Sequence, residues 1–166
     1  VSKSGFKSYL SGVFMLSPTV AVAVGSDGVV LRTADGGQSW KSIPSGTDFF
    51  LAAVDFADER SGLAVGYSTI LATSDGGNTW QRRSIPARMG DSVLTRVAFV
   101  NQSTAAIVGS FGVILTSSDG GRNWTVRASG TTQNLLAVAW SDTQHATAVG
   151  DKGIVLHTSD GGLSWA

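Results

Sequence analysis

A chain of 166 residues is long enough to bury a substantial core as one domain. Twelve basic residues balance twelve acidic ones, which points away from nucleic acid and anionic membrane surfaces, and the absence of cysteine removes disulfides, thiolate catalysis and Cys-based zinc sites. No apolar run approaches the roughly 18 residues of a spanning helix, so no membrane span is expected.

In chain order, the first expected strand is Leu10 to Met15, and its pattern returns at Leu51 to Phe56, Leu94 to Phe99 and Leu135 to Trp140. In each copy a valine (Val13, Val54, Val97 or Val138) precedes a large apolar residue by two positions, which places both on one face of a strand. A polar link leads to a second strand that ends in Val-Gly, at Val24-Gly25, Val65-Gly66, Val108-Gly109 and Val149-Gly150. After a short turn a third strand carries Leu31, Leu71, Leu115 or Leu156. Twenty-one glycines, three prolines and abundant Val, Ser and Thr suit short strands joined by tight turns. No segment of useful length carries helical periodicity.

The third strand runs into the most regular stretch of the chain. Thr33-Ala34-Asp35-Gly36-Gly37-Gln38-Ser39-Trp40 returns around Asp75 and Trp80, Asp119 and Trp124, and Asp160 and Trp165, at intervals of 40, 44 and 41 residues. Such self-similarity marks a repeat architecture. The aspartate accepts from nearby backbone N–H groups, the glycines supply positive φ, and the tryptophan anchors the return strand. The functional alternative is a calcium loop, but each copy offers one carboxylate where calcium needs six to eight oxygens. Each unit therefore reads as four antiparallel strands, the size of one propeller blade.

The boundaries expected are 6–46, 47–87, 88–130 and 131–166, with residues 1–5 closing the last blade. Residues 1–5 resemble the stretch after Trp124, and counting from Trp165 round to Trp40 again gives 41 residues. The fold class is thus an all-β propeller with four blades per chain. It closes either as a four-bladed ring or as an eight-bladed ring from two chains, a homodimer, and the second is favoured because four blades leave little room at the axis. Closure of either kind removes exposed sheet edges.

The Ser/Thr-x-Asp-x-Gly-x-Ser/Thr-Trp pattern resembles the Asp-box, or BNR repeat, of sialidases, sortilin-type receptors and several glycosidases. The wider unit, Ala-Val-Gly-x-x-Gly-x-x-Leu-x-Thr-x-Asp-Gly-Gly-x-x-Trp, resembles the photosystem II stability and assembly factor family. That resemblance implies a β-propeller, usually of seven blades, an extracytoplasmic setting (periplasmic, luminal or secreted), and an assembly role in which basic residues bind a membrane-protein precursor. The chain departs from the pattern in having four units, in Asn123 where Ser or Thr is expected, and in a turn at Gly66-Tyr67-Ser68-Thr69 that is one residue short.

Four equivalent units allow a search for the copy that breaks the pattern. The link after Trp80, residues 81–92, is longer than its counterparts and carries Arg82, Arg83 and Arg88. Arg96 follows in the innermost strand, where the other units have Gly12, Ala53 and Ala137. These four arginines are the candidate basic patch for a carboxylate or an acidic peptide; the alternative is that they are solvated or paired with Asp48 and Asp91. Phe49, Tyr67 and Phe111 fall in loops expected on the same face and are candidate partner contacts. Asp27, Asp151 and Lys152 sit on short turns and are assigned to turn chemistry. His145 and His157 show no nucleophile or metal-ligand pattern.

Three functions compete: a non-catalytic scaffold or protein-binding module, assembly-factor-like; a glycan-binding or glycoside-hydrolase-like module; and a repeat fragment or engineered propeller with no selected ligand. A glycosidase needs two carboxylates across a sugar subsite, and a sialidase-like site adds an arginine cluster and a tyrosine nucleophile, for which only Tyr9 and Tyr67 exist. The expectation is a non-enzyme without cofactor or metal, with a protein or peptide partner and self-association into a ring.

Overall fold

The computed structural model describes residues 7–89 and 91–166, apart from the Arg88 side chain. The closure assigned to residues 1–5 lies outside the described residues. Among the described residues, fifteen strands form four antiparallel sheets in chain order. The first holds β1 (Leu10–Met15), β2 (Ala21–Gly25), β3 (Val30–Thr33) and β4 (Lys41–Ser42). The second holds β5 (Leu51–Phe56), β6 (Gly62–Gly66), β7 (Thr69–Thr73) and β8 (Gln81–Arg82). The third holds β9 (Leu94–Phe99), β10 (Ala105–Gly109), β11 (Ile114–Ser117) and β12 (Thr125–Arg127). The fourth holds β13 (Leu135–Trp140), β14 (Ala146–Gly150) and β15 (Val155–Thr158), and beside β15 Ala166 exchanges two backbone hydrogen bonds with His157, at 2.8 and 3.1 Å.

Blades stack face to face. Val22, Val24 and Val30 of the first blade pack on Leu51, Val54, Phe56 and Leu71 of the second. Leu63, Val65 and Ile70 pack in the same way on Leu94, Val97 and Leu115 of the third. Ala106, Val108 and Ile114 then meet Leu135, Val138 and Leu156 of the fourth. The second strands β2, β6 and β10 read as continuous apolar runs and are buried throughout, β6 and β10 between two neighbouring blades. In β14 the pattern breaks at Thr147, and alternate residues are exposed.

The innermost strands pack in chain order, β1 on β5, β5 on β9 and β9 on β13. Each carries a register shift after its leucine, at Leu10/Gly12, Leu51/Ala53, Leu94/Arg96 and Leu135/Ala137. The extra residue at that bulge turns toward the next blade. Ser11 there donates its hydroxyl to the Leu51 carbonyl, and Thr95 donates to the Leu135 carbonyl at 2.6 Å. No helix among the described residues is long and apolar enough to cross a membrane.

The four Asp-Gly-Gly turns share one hydrogen-bond scheme. Asp35 Oδ1 accepts from the Thr33 hydroxyl at 2.7 Å and from the Ser39 N–H at 2.9 Å, while the Thr33 hydroxyl accepts from the Gly37 N–H at 3.0 Å. Asp75, Asp119 and Asp160 repeat it. Asn123 fills the hydroxyl's place, its side-chain amide donating to Asp119 Oδ2 at 2.7 Å where Thr79 donates to Asp75 Oδ2 at the same distance.

Candidate functional site

The second and third blades are joined by the irregular link, and the chain folds it into a groove. Pro86, Ala87 and Met89 make a tight turn, with the Met89 N–H donating to the Pro86 carbonyl at 3.0 Å and the Ser92 N–H to the Met89 carbonyl at 3.2 Å. Met89 is buried in the core between the two blades, so the link is anchored at its centre. The groove, of about 710 Å³, is lined by Ser68, Arg82, Arg83, Ile85, Met89 and Asp91 among others.

Arg82 is fixed at the groove's edge. Its guanidinium donates to the Ser68 carbonyl at 2.9 Å and lies over the Phe49 ring, 5.8 Å from the centroid. Phe49 in turn meets Tyr67 edge to face, with centroids 5.6 Å apart. The Tyr67 phenol is held above its ordinary range, by burial first and then by Asp91, whose carboxylate it hydrogen-bonds. Thus Asp91 is engaged by Tyr67 and not by an arginine. Among the described residues, neither Arg82, Arg83 nor Arg96 makes an ion pair with a carboxylate. The Nε of Arg83 is buried without a hydrogen-bond partner.

The other sequence candidates disperse. Arg96 is exposed on β9 and does not line the groove; its charge reaches Asp55 on β5. The Arg88 side chain lies outside the described residues. Phe111 is 71% exposed on a turn of the third blade, and its φ of 58° places a bulky residue in the left-handed region. Asp27 and Lys152 occupy the same turn position with φ of 56°, and the shortened turn of the second blade uses Ser68 at 42°. His145, which the sequence left without a partner, bonds Asp142 at 2.9 Å and stacks on His157, 6.0 Å between centroids. That Asp142 oxygen also accepts the Gln144 and His145 backbone N–H groups, as in an ordinary Asx turn.

Sequence reasoning missed Asp55. It stands where the other blades have Phe14, Ala98 and Ala139, and its carboxylate accepts the Phe99 N–H of the next blade at 2.8 Å. Burial raises its pKa, opposed by the Phe99 and Phe56 N–H groups and by Arg96. The only sign in the sequence is a charged residue in an otherwise apolar strand.

The fold and the groove together define a BNR-type β-propeller with an arginine-lined groove between two blades. A family model described as "Photosynthesis system II assembly factor YCF48" matches residues 38–128, more than half of the chain, and the chain belongs to that family. The photosystem II assembly lipoprotein Ycf48 of Prochlorococcus marinus (strain NATL2A) is 34% identical over 82 residues, covering 48% of this chain and 24% of that protein. YCF48 from Cyanidioschyzon merolae superposes with a TM-score of 0.76 at 23% identity, over 98% of this chain and 56% of that one. A structure titled "YCF48 bound to D1 peptide" gives 0.65 at 15% identity, over 97% and 82%. An ancestral GH74 enzyme also matches, at 0.79 and 16% identity over 98% of this chain and 24% of its own, which is a likeness of fold. The chain thus spans about a quarter of the first relative and just over half of the second.

Proposed function

We propose that this chain is a non-catalytic, assembly-factor-like scaffold that holds an acidic or carboxylate-bearing peptide in the groove between its second and third blades. The observation that carries this reading is the pair Arg82 and Arg83 on an open groove, neither neutralised by a carboxylate. Two arginines on one groove, with Arg82 seated over the Phe49 ring that meets Tyr67, suit a peptide that combines negative charge with an apolar side chain. That a family relative is titled as bound to D1 peptide supports a peptide partner here.

The same reading makes the chain a non-enzyme. The Asp-Gly-Gly turns, read as Asp-box elements, commit their carboxylates to their own backbone.

The test is fluorescence anisotropy with a labelled peptide ending in acidic residues and a free carboxylate, beside its amidated, neutral counterpart. The acidic peptide is expected to bind, more weakly as salt rises, and Arg82→Ala/Arg83→Ala to lose about tenfold or more in affinity. Equal binding of the neutral peptide, or unchanged affinity in the double variant, overturns the reading.

A further inference from the structure

The first and second blades enclose a cavity of about 400 Å³ at the end of the sheets away from the groove. Ser68 of the groove lies just before β7 and Asp75 of the cavity just after it, so that strand separates the two. The first blade supplies an apolar wall, Leu16 and Val20, with Leu16 packed on the core between the blades. Arg32 enters from the first blade and Arg60 from the second. Both are held through Nε by carbonyls of the turn around Asp75, Arg32 by Gly76 at 2.8 Å and Arg60 by Ser74 at 3.4 Å. The terminal amines of both guanidinium groups are left to donate elsewhere, and among the described residues neither arginine pairs with a carboxylate. Asp75 also borders the cavity, but its oxygens accept from Thr73, Asn78 and Thr79. Glu59 is exposed at the edge, so two uncommitted cations stand against one uncommitted anion.

The repeat supplies its own comparison. A related cavity of about 380 Å³ lies between the third and fourth blades, where the Gly161 N–H donates to the Gln144 carbonyl as the Gly76 N–H donates to that of Arg60, each at 2.9 Å. At the matching positions Thr104 replaces Val20, Thr116 replaces Arg32, Thr143 replaces Glu59 and Gln144 replaces Arg60. Between the second and third blades the two arginine positions hold Ala72 and Ser103. Blade stacking therefore makes the hollow, and the first interface alone gives it two arginines and an apolar wall.

We propose that this cavity binds a small carboxylic acid, its carboxylate held by Arg32 and Arg60 and its apolar body resting on Leu16 and Val20. The surplus of free positive charge selects an anion, and the planar guanidinium fork suits a carboxylate. The wall of Leu16 and Val20 gains only from a ligand that also covers it. The cavity's volume is at the small end of ligand sites, which favours a compact acid. A peptide ending in an apolar residue shares this chemistry. A chain end made of acidic residues lacks the apolar body, so the site neither needs the groove nor competes with it.

The test is an NMR amide-shift titration with hexanoate, beside hexanamide, which lacks the charge, and acetate, which lacks the apolar body. Hexanoate is expected to give saturable shifts at Ser17, Arg32, Arg60 and Gly76, with both controls at least about tenfold weaker. Arg32→Gln and Arg60→Gln should each weaken hexanoate about tenfold. Glu59→Gln should strengthen it by removing the free like charge. Arg60 is exposed, so its variant keeps the test open if Arg32→Gln disturbs the fold. Acetyl-Gly-Gly-Leu with a free carboxylate separates the sources: tighter binding than hexanoate identifies a peptide end, weaker binding a free acid. Arg82→Ala/Arg83→Ala should leave hexanoate binding unchanged. Shifts that do not saturate, equal binding of hexanamide or acetate, weaker binding in Glu59→Gln, or shifts centred on Arg82 and Arg83 overturn the proposal without touching the groove reading.

Discussion

The Asp-Gly-Gly turn shows how one side chain organises eight residues. Hydrogen bonds from the Ser39 hydroxyl and N–H, then from Thr33, hold the Asp35 carboxyl down to about 2. Asp119 also falls to about 2: burial raises it, but the Asn123, Ser117 and Arg122 donors outweigh burial. A folded-state pKa below the unfolded value adds stability that is fully present above the ordinary aspartate range and is lost as pH falls through the folded pKa. Thermal melts followed by circular dichroism should therefore hold steady down to about pH 4 and drop toward pH 2, with Asp35→Asn flattening that drop. Melts that do not change between those values would contradict it. Asn123 makes a second check: Asn123→Ser should keep the melting temperature and Asn123→Ala lower it, because only the alanine leaves Asp119 Oδ2 without its donor. At Phe111 the prediction runs the other way, since Asn tolerates the left-handed backbone better than Phe, and Phe111→Asn should raise the melting temperature.

Between blades, what matters is the fit of one sheet on the next. Gly46 and Gly77 both have positive φ, at 75° and 82°, but a Cβ on Gly46 meets nothing within 4 Å while one on Gly77 comes within 2.7 Å of the Val22 side chain. Denaturant unfolding should show Gly77→Ala costing clearly more than Gly46→Ala; equal costs would mean that the first two blades do not pack as described. Removing the Asp55 carboxylate leaves the Phe99 N–H unpaired between blades, so Asp55→Ala should cost about 1–3 kcal/mol and Asp55→Asn less. These elements also show what the sequence could reveal. Strand count, turn chemistry and blade order follow from repetition, because each copy of Val-Gly or Asp-Gly-Gly serves as a control on the others. The groove was legible only in part. The long link after Trp80 announced it, but Phe49, Tyr67 and Arg82 meet through tertiary packing across 33 residues of chain, which no local spacing encodes. Arg96 shared the charge but not the place, since it sits on β9, outside the lining of the groove.

At the scale of the whole molecule, the described residues form four blades stacked in chain order, with the candidate groove between the second and the third. Its lining comes from the second blade and from the link that leads to the third, away from the first and fourth blades. The measurement that addresses the central claim most directly is an amide-shift titration by NMR with the acidic peptide. The account predicts shifts concentrated at Tyr67, Ser68, Arg82, Arg83 and Asp91, with the Asp-Gly-Gly turns and the fourth blade undisturbed. Shifts centred on the fourth blade or on the turns, or none at peptide saturation of the measured affinity, would contradict it.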